Sequence, residues 1–96
     1  MNEQELNVAL ADRELMYQGV IYRFTGARVR RPPTEPNPVV VEFSAARADG
    51  VGETIRGILH VSRDSFEDRE YLIAMIDHTV MEIVDGRLPP GTIQPL

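Results

Sequence analysis

His78 and Glu82 stand four residues apart, so on a helix both project from one side and both can reach one metal ion, with Asp85 one turn further. Imidazole and carboxylate are ligands that zinc accepts. A competent zinc centre needs at least three protein ligands, and the chain has neither a His-x-x-x-His nor a Glu-x-x-His pair. The simpler reading is a solvent-facing histidine beside an acid, and no metal or other cofactor is expected. His60, on a strand, reads as a solvent-facing or rim residue.

Nucleophilic catalysis would need Ser44, Ser62 or Ser65 to meet His60 or His78. No Gly-x-Ser-x-Gly elbow is present to strain a serine into an attacking position. Ser65 sits where a helix cap is wanted. Cysteine is absent, which removes disulfides, thiolate zinc sites and a thiol nucleophile. Lysine is absent too, so there is no P-loop lysine, Schiff-base lysine or lysine general base. Catalysis is therefore not expected.

Arg23, Arg28, Arg30 and Arg31 form the one basic cluster, with Tyr22 and Phe24 interleaved. A sheet that stacks bases shows its aromatics and its cations on one face. Strand alternation sends Tyr22 and Phe24 to the face opposite Arg23. The formal net charge of −5 also works against polyanion binding. Nucleic-acid recognition through these four arginines stands as the alternative expectation.

The charge is uneven. Residues 1 to 48 balance six arginines against six acids, whereas residues 49 to 96 set four arginines against nine acids and carry the whole excess. Glu70, Asp77, His78, Glu82 and Asp85 fall on the polar side of one stretch. They form either a solvated face or a contact face for a partner.

The elements that must position these residues follow from periodicity. Over 64–86, Leu72, Ile73, Ile76, Val80, Ile83 and Val84 recur at steps of three and four, which predicts an amphipathic helix. Ser65 with Asp68 marks its start as a capping box, and Gly86 followed by Pro89-Pro90 marks its end. Residues 19–31 predict a hairpin turning at Thr25-Gly26, with Val20, Tyr22, Phe24 and Val29 inward. Residues 32–38 hold four prolines and predict a stiff crossover. Residues 39–63 predict a longer hairpin with Val41, Phe43, Ala45, Ile55, Gly57, Leu59 and Val61 on one face. Gly57 signals a bulge or a close backbone approach. Val40 and Ile58 then point outward and need covering. Residues 2–16 fit helix better than strand, with Asn2 and Glu5 as its cap. Residues 88–96 predict an extended tail.

The expectation is one α+β domain over residues 1–96. A small antiparallel sheet of three to five strands, built as two hairpins, is covered by one long C-terminal helix, with a short helix at the N-terminus. No apolar run approaches the ~20 residues that span a membrane, and the acidic start lacks the basic region of a signal peptide. A cytoplasmic setting is expected. So is an accessory or adaptor role, through contact with another protein or a second copy. The candidate surfaces are the acidic helix face (Glu70, Asp77, His78, Glu82, Asp85) and a sheet patch of Val40, Ile58 and His60.

Overall fold

The computed structural model describes residues 1–31, 33, 38–88 and, as backbone, 93–95. The chain runs α1 (Glu3–Ala11), β1 (Glu14–Tyr17), β2 (Val20–Arg30), β3 (Val39–Arg47), β4 (Ile55–Val61), α2 (Arg63–Glu67), α3 (Arg69–Val84) and β5 (Ile93–Pro95). The strands form one sheet in chain order, antiparallel from β1 to β4, with β5 parallel to β4. Both long helices cover the same face. Leu6 and Leu10 of α1, with Leu72, Ile76 and Val80 of α3, meet Phe24, Val41, Phe43, Leu59 and Val61 of the sheet in one buried cluster that also takes in Phe66. This is the α+β arrangement read from the sequence.

The first hairpin differs from expectation. Residues 20–30 do not turn at Thr25-Gly26 but run on as one strand of 11 residues. The turn lies upstream at Gln18 and Gly19, with φ of 51° and 77°, and it pairs Tyr17 with Val20. Two successive positive φ values are what a two-residue hairpin turn needs to match the twist of its strands. Thr25-Gly26 is a bulge, where the β2–β3 register shifts between Phe24 and Gly26. The extra residue flips the alternation. Tyr22, Phe24 and Ala27 are therefore all buried, with Val29 packed behind them, although their numbers differ in parity.

The predicted long helix is broken. Ser62, not Ser65, caps α2, its hydroxyl accepting from the Ser65 N–H at 3.1 Å. Asp68 then takes an extended backbone (φ −89°, ψ 93°) and caps α3, its carboxylate accepting from the Tyr71 N–H at 3.2 Å. The break lets α2 bury Phe66 completely while α3 follows its own axis for 16 residues. At the far end Gly86 has φ 77°, and the N–H of Arg87 bonds back to the Glu82 carbonyl at 2.9 Å, the left-handed termination expected there.

Gly57 marks a close approach and no bulge. It pairs with Phe43 across the β3–β4 ladder, and a Cβ at Gly57 would lie 2.3 Å from the Phe43 ring. At the N-terminus Asn2 caps α1 through Glu5, as expected, but the helix ends at Ala11, and residues 14–16, expected to be helical, belong to strand β1. The tail does not cross the sheet but adds β5 along the β4 rim. Most of the proline-rich crossover, the Pro89-Pro90 stop and Leu96 lie outside the described residues. Among the described residues no helix is long and apolar enough to cross a membrane.

Candidate protein-contact face

With α1 and α3 on one side, the other side of the sheet carries no helix among the described residues. Its membership follows from register. Met16 and Ile21 are partners, as are Arg23 and Ala46, Arg28 and Glu42, Arg30 and Val40, Val40 and His60, Glu42 and Ile58, and Ser44 and Arg56. Opposed residues share a face, so the outer surface has aliphatic side chains set among charges. Ile21, Val40, Ala46 and Ile58 are half-buried, and Met16 is 70% exposed. Val40, Ile58 and His60, singled out from alternation alone, are indeed neighbours here. Tyr22 and Phe24 point into the core, so the outer face of β2 shows arginines without the aromatics a base-stacking sheet would need.

Most of the arginines already have partners. Arg23 bonds Glu14 at 2.8 Å, Arg30 pairs with Glu42, and Arg47 forks onto Asp49 at 2.7 and 3.1 Å. Arg31 lies apart from the cluster. It contacts Glu67 and stacks over the Phe66 ring at 4.7 Å. Arg28 and Arg56 carry no ion pair among the described residues, and both are exposed. They flank a shallow trough of about 760 Å³ that crosses β2, β3 and β4 at the bulge. Thr25, Ser44 and Thr54 line it with hydroxyls, and Thr25 and Ser44 bond each other at 2.6 Å.

The acidic helix face is a different surface, on the far side of the molecule, and two of its acids hold the fold together. Arg13 forks onto Asp77 through bonds of 2.9 and 2.8 Å, tying the segment after α1 to α3. The bond to Asp77 lifts the Arg13 guanidinium further above its already high range. Asp85 accepts from the Tyr17 hydroxyl at 2.6 Å and from the Gln18 amide at 3.1 Å, fastening the first hairpin turn to the end of α3. That bond holds the Tyr17 phenol above its ordinary pKa. Glu70 lines a groove of about 570 Å³ between α1 and α3, which the Arg13–Asp77 pair also borders. His78 is exposed with Nε2 3.5 Å from Glu82, which also faces Arg87 at 3.4 Å. Among the described residues no three acids or histidines are placed to hold a metal ion.

The helix residues therefore do not converge with the sheet patch. Arg56 carries no sequence signal of a site, because only the bulge in β2 and the ladder register bring it to the same trough as Arg28.

No protein-family model, curated protein or solved structure matches this chain.

Proposed function

We propose that this protein works by binding another protein through the outer face of its sheet, as an accessory module rather than a catalyst. One observation carries the reading. Ile21, Val40, Ala46 and Ile58 share a sheet face that no described helix covers, beside a trough holding two arginines that have no ion pair among the described residues. A sheet with one packed face leaves its other face to solvent or to a partner, and aliphatic side chains ringed by charge suit a contact that forms and dissolves. The lack of cysteine supports a cytoplasmic setting. The nucleic-acid alternative has less support, because Arg23, Arg30 and Arg31 are engaged by acids and Tyr22 and Phe24 face the core.

The test compares wild type with a Val40→Glu, Ile58→Glu double variant, immobilised and exposed to extract of the native cell. A protein retained by the wild type, lost with the variant and then titrated in purified form supports the reading. Identical retention by both, or a wild type that captures nothing and stays monomeric at every concentration, overturns it. Circular dichroism of the variant checks that it is folded.

A further inference from the structure

The ladder register places Arg28 on β2 and Arg56 on β4, with β3 between them. Arg28 lies opposite Glu42, Glu42 opposite Ile58, and Arg56 is two residues from Ile58 along β4. Two strand spacings and two residue rises separate the Cα atoms by about 12 Å, and two arginine side chains readily shorten that gap. Between them lie Ser44 and Thr25, joined at 2.6 Å, with Thr54 also on the wall and Gly26 and Gly57 in the lining. Among the described residues Glu42 is the one acid lining this trough, and Arg30 engages it. Both guanidiniums lack an ion pair among the described residues, in a chain that pairs most of its other arginines.

Resting on the protein-contact reading above, we propose that this trough receives an extended acidic segment of the partner, with one carboxylate on Arg28 and another on Arg56. Acids at positions i and i+2 of an extended chain point to the same side about 7 Å apart, a span that fits two arginines reaching inward. Each guanidinium offers a planar fork that matches a carboxylate, and the three hydroxyls can meet the backbone or further carboxylate oxygens of the segment. Ile58, also on the trough wall, and Val40, two pairs further along the ladder, give an aliphatic footing to the stems of side chains on the same side of the segment as the two acids. A peptide suits this surface better than a nucleic-acid strand. The outer faces of β2, β3 and β4 present no aromatic ring among the described residues, and the chain's net charge of −5 opposes a long polyanion.

The test titrates a fluorescein-labelled peptide, Ser-Glu-Ser-Glu-Ser-Glu-Ser, into the full chain and follows anisotropy at low and moderate salt. Binding is expected, weakening as salt rises, and absent for the peptide with Gln in place of Glu. Arg28→Gln and Arg56→Gln should each weaken it roughly five- to tenfold, between the effect of an exposed ion pair and that of a desolvated charge-assisted bond. Arg69→Gln, which removes from the helical side another exposed arginine with no ion pair among the described residues, should leave it unchanged. Three outcomes overturn the proposal: no binding of the Glu peptide, equal loss with Arg69→Gln, or displacement of the peptide by a single-stranded oligonucleotide that binds more tightly. If the peptide fails while the Val40→Glu, Ile58→Glu variant still loses its captured partner, the acidic-segment proposal falls and the protein-contact reading stands. If both fail, the reading falls with it.

Discussion

The side-chain amide of Asn7 makes both hydrogen bonds of the Ala27 backbone that β3 does not make. Asn7 Nδ2 donates to the Ala27 carbonyl at 2.9 Å, and the Ala27 N–H donates to Asn7 Oδ1 at 2.9 Å. One turn earlier on α1, Glu3 Oε1 accepts from the Val29 N–H at 2.8 Å. Strand β1 pairs with β2 only from Val20 to Arg23, so beyond that point β2 has a bare edge. Helix α1 supplies the missing partners with side chains. Asn7→Leu keeps similar volume but leaves a part-buried donor and acceptor unmet, which should destabilise the fold by about 2 kcal/mol. Asn7→Asp retains the acceptor and sets an oxygen against the Ala27 carbonyl, so it too should destabilise. The urea midpoint of each variant measures this.

Gly57 should tolerate no side chain. Its missing Cβ is the space that the Phe43 ring occupies, so Gly57→Ala should cost roughly 1–3 kcal/mol through overpacking. The same change in a Phe43→Leu background should cost distinctly less. A double-mutant cycle by urea unfolding reads the difference, and additivity of the two changes would contradict the packing described.

The forked Arg13–Asp77 pair, with side chains 33% and 14% exposed, should matter more than the Arg23–Glu14 pair, with side chains 64% and 50% exposed. Arg13→Gln should lower stability by about 1 kcal/mol and lose little of that effect in salt. Arg23→Gln should change it by less than roughly 0.5 kcal/mol. Thermal unfolding at low and high salt separates the two.

The two helix starts predict a pattern opposite to the one read from spacing. Ser62→Ala and Asp68→Ala should each cost about 1 kcal/mol by removing a cap. Ser65 enters the α2 cap through its backbone N–H, so Ser65→Ala should be nearly neutral. Denaturant midpoints of the three variants test this directly.

Two groups should titrate away from their ordinary ranges in opposite directions. The Arg47 guanidinium, and after it the Val51 N–H, hold the Asp49 carboxylate below the usual carboxylate range. The stability linked to Asp49 is present above its unfolded pKa and is lost as pH falls through the lower folded value. Arg47→Gln should move its carbon-detected NMR titration upward. Tyr17 behaves in reverse, because its bond to Asp85 favours the protonated phenol. Its contribution is complete below the unfolded pKa and is lost as pH rises through the raised folded value. Asp85→Asn should bring the Tyr17 titration, followed by ultraviolet absorbance, back down.

The architecture was legible in the sequence because burial writes itself as period. Leu72, Ile76 and Val80, or Val41, Phe43 and Ala45, repeat at the spacing of the element that buries them. The Gly57 approach and the Gly86 termination were legible for a similar reason, since glycine stands where a side chain does not fit. Local chemistry that admits two answers was not. Thr25-Gly26 suits a bulge as well as a turn, and both invert the alternation, so Val29 came out inward under either reading. Ser62, Ser65 and Asp68 all have capping side chains, and the choice among them depends on where Phe66 finds a pocket. The Arg28–Arg56 trough depends on ladder register, which no single segment encodes. Asp77 and Asp85 look like free acids until Arg13 and Tyr17, more than sixty residues away in sequence, are brought to them.

Strand β5 runs along β4 from Ile58 to His60, and α1 occupies the β2 flank beyond Arg23. Foreign strands join a sheet most easily by zipping onto bare peptide groups at its margin, the route by which folded proteins are recruited into fibres. Here much of the β2 and β4 margin is closed by the chain's own two flanking segments, one helical and one extended, and among the described residues the short strands β1 and β5 are the outermost ones. Trimming or fraying either end would therefore do more than loosen the fold. It would expose a template, and the first sign would be ordered self-assembly before any loss of the α3 helix.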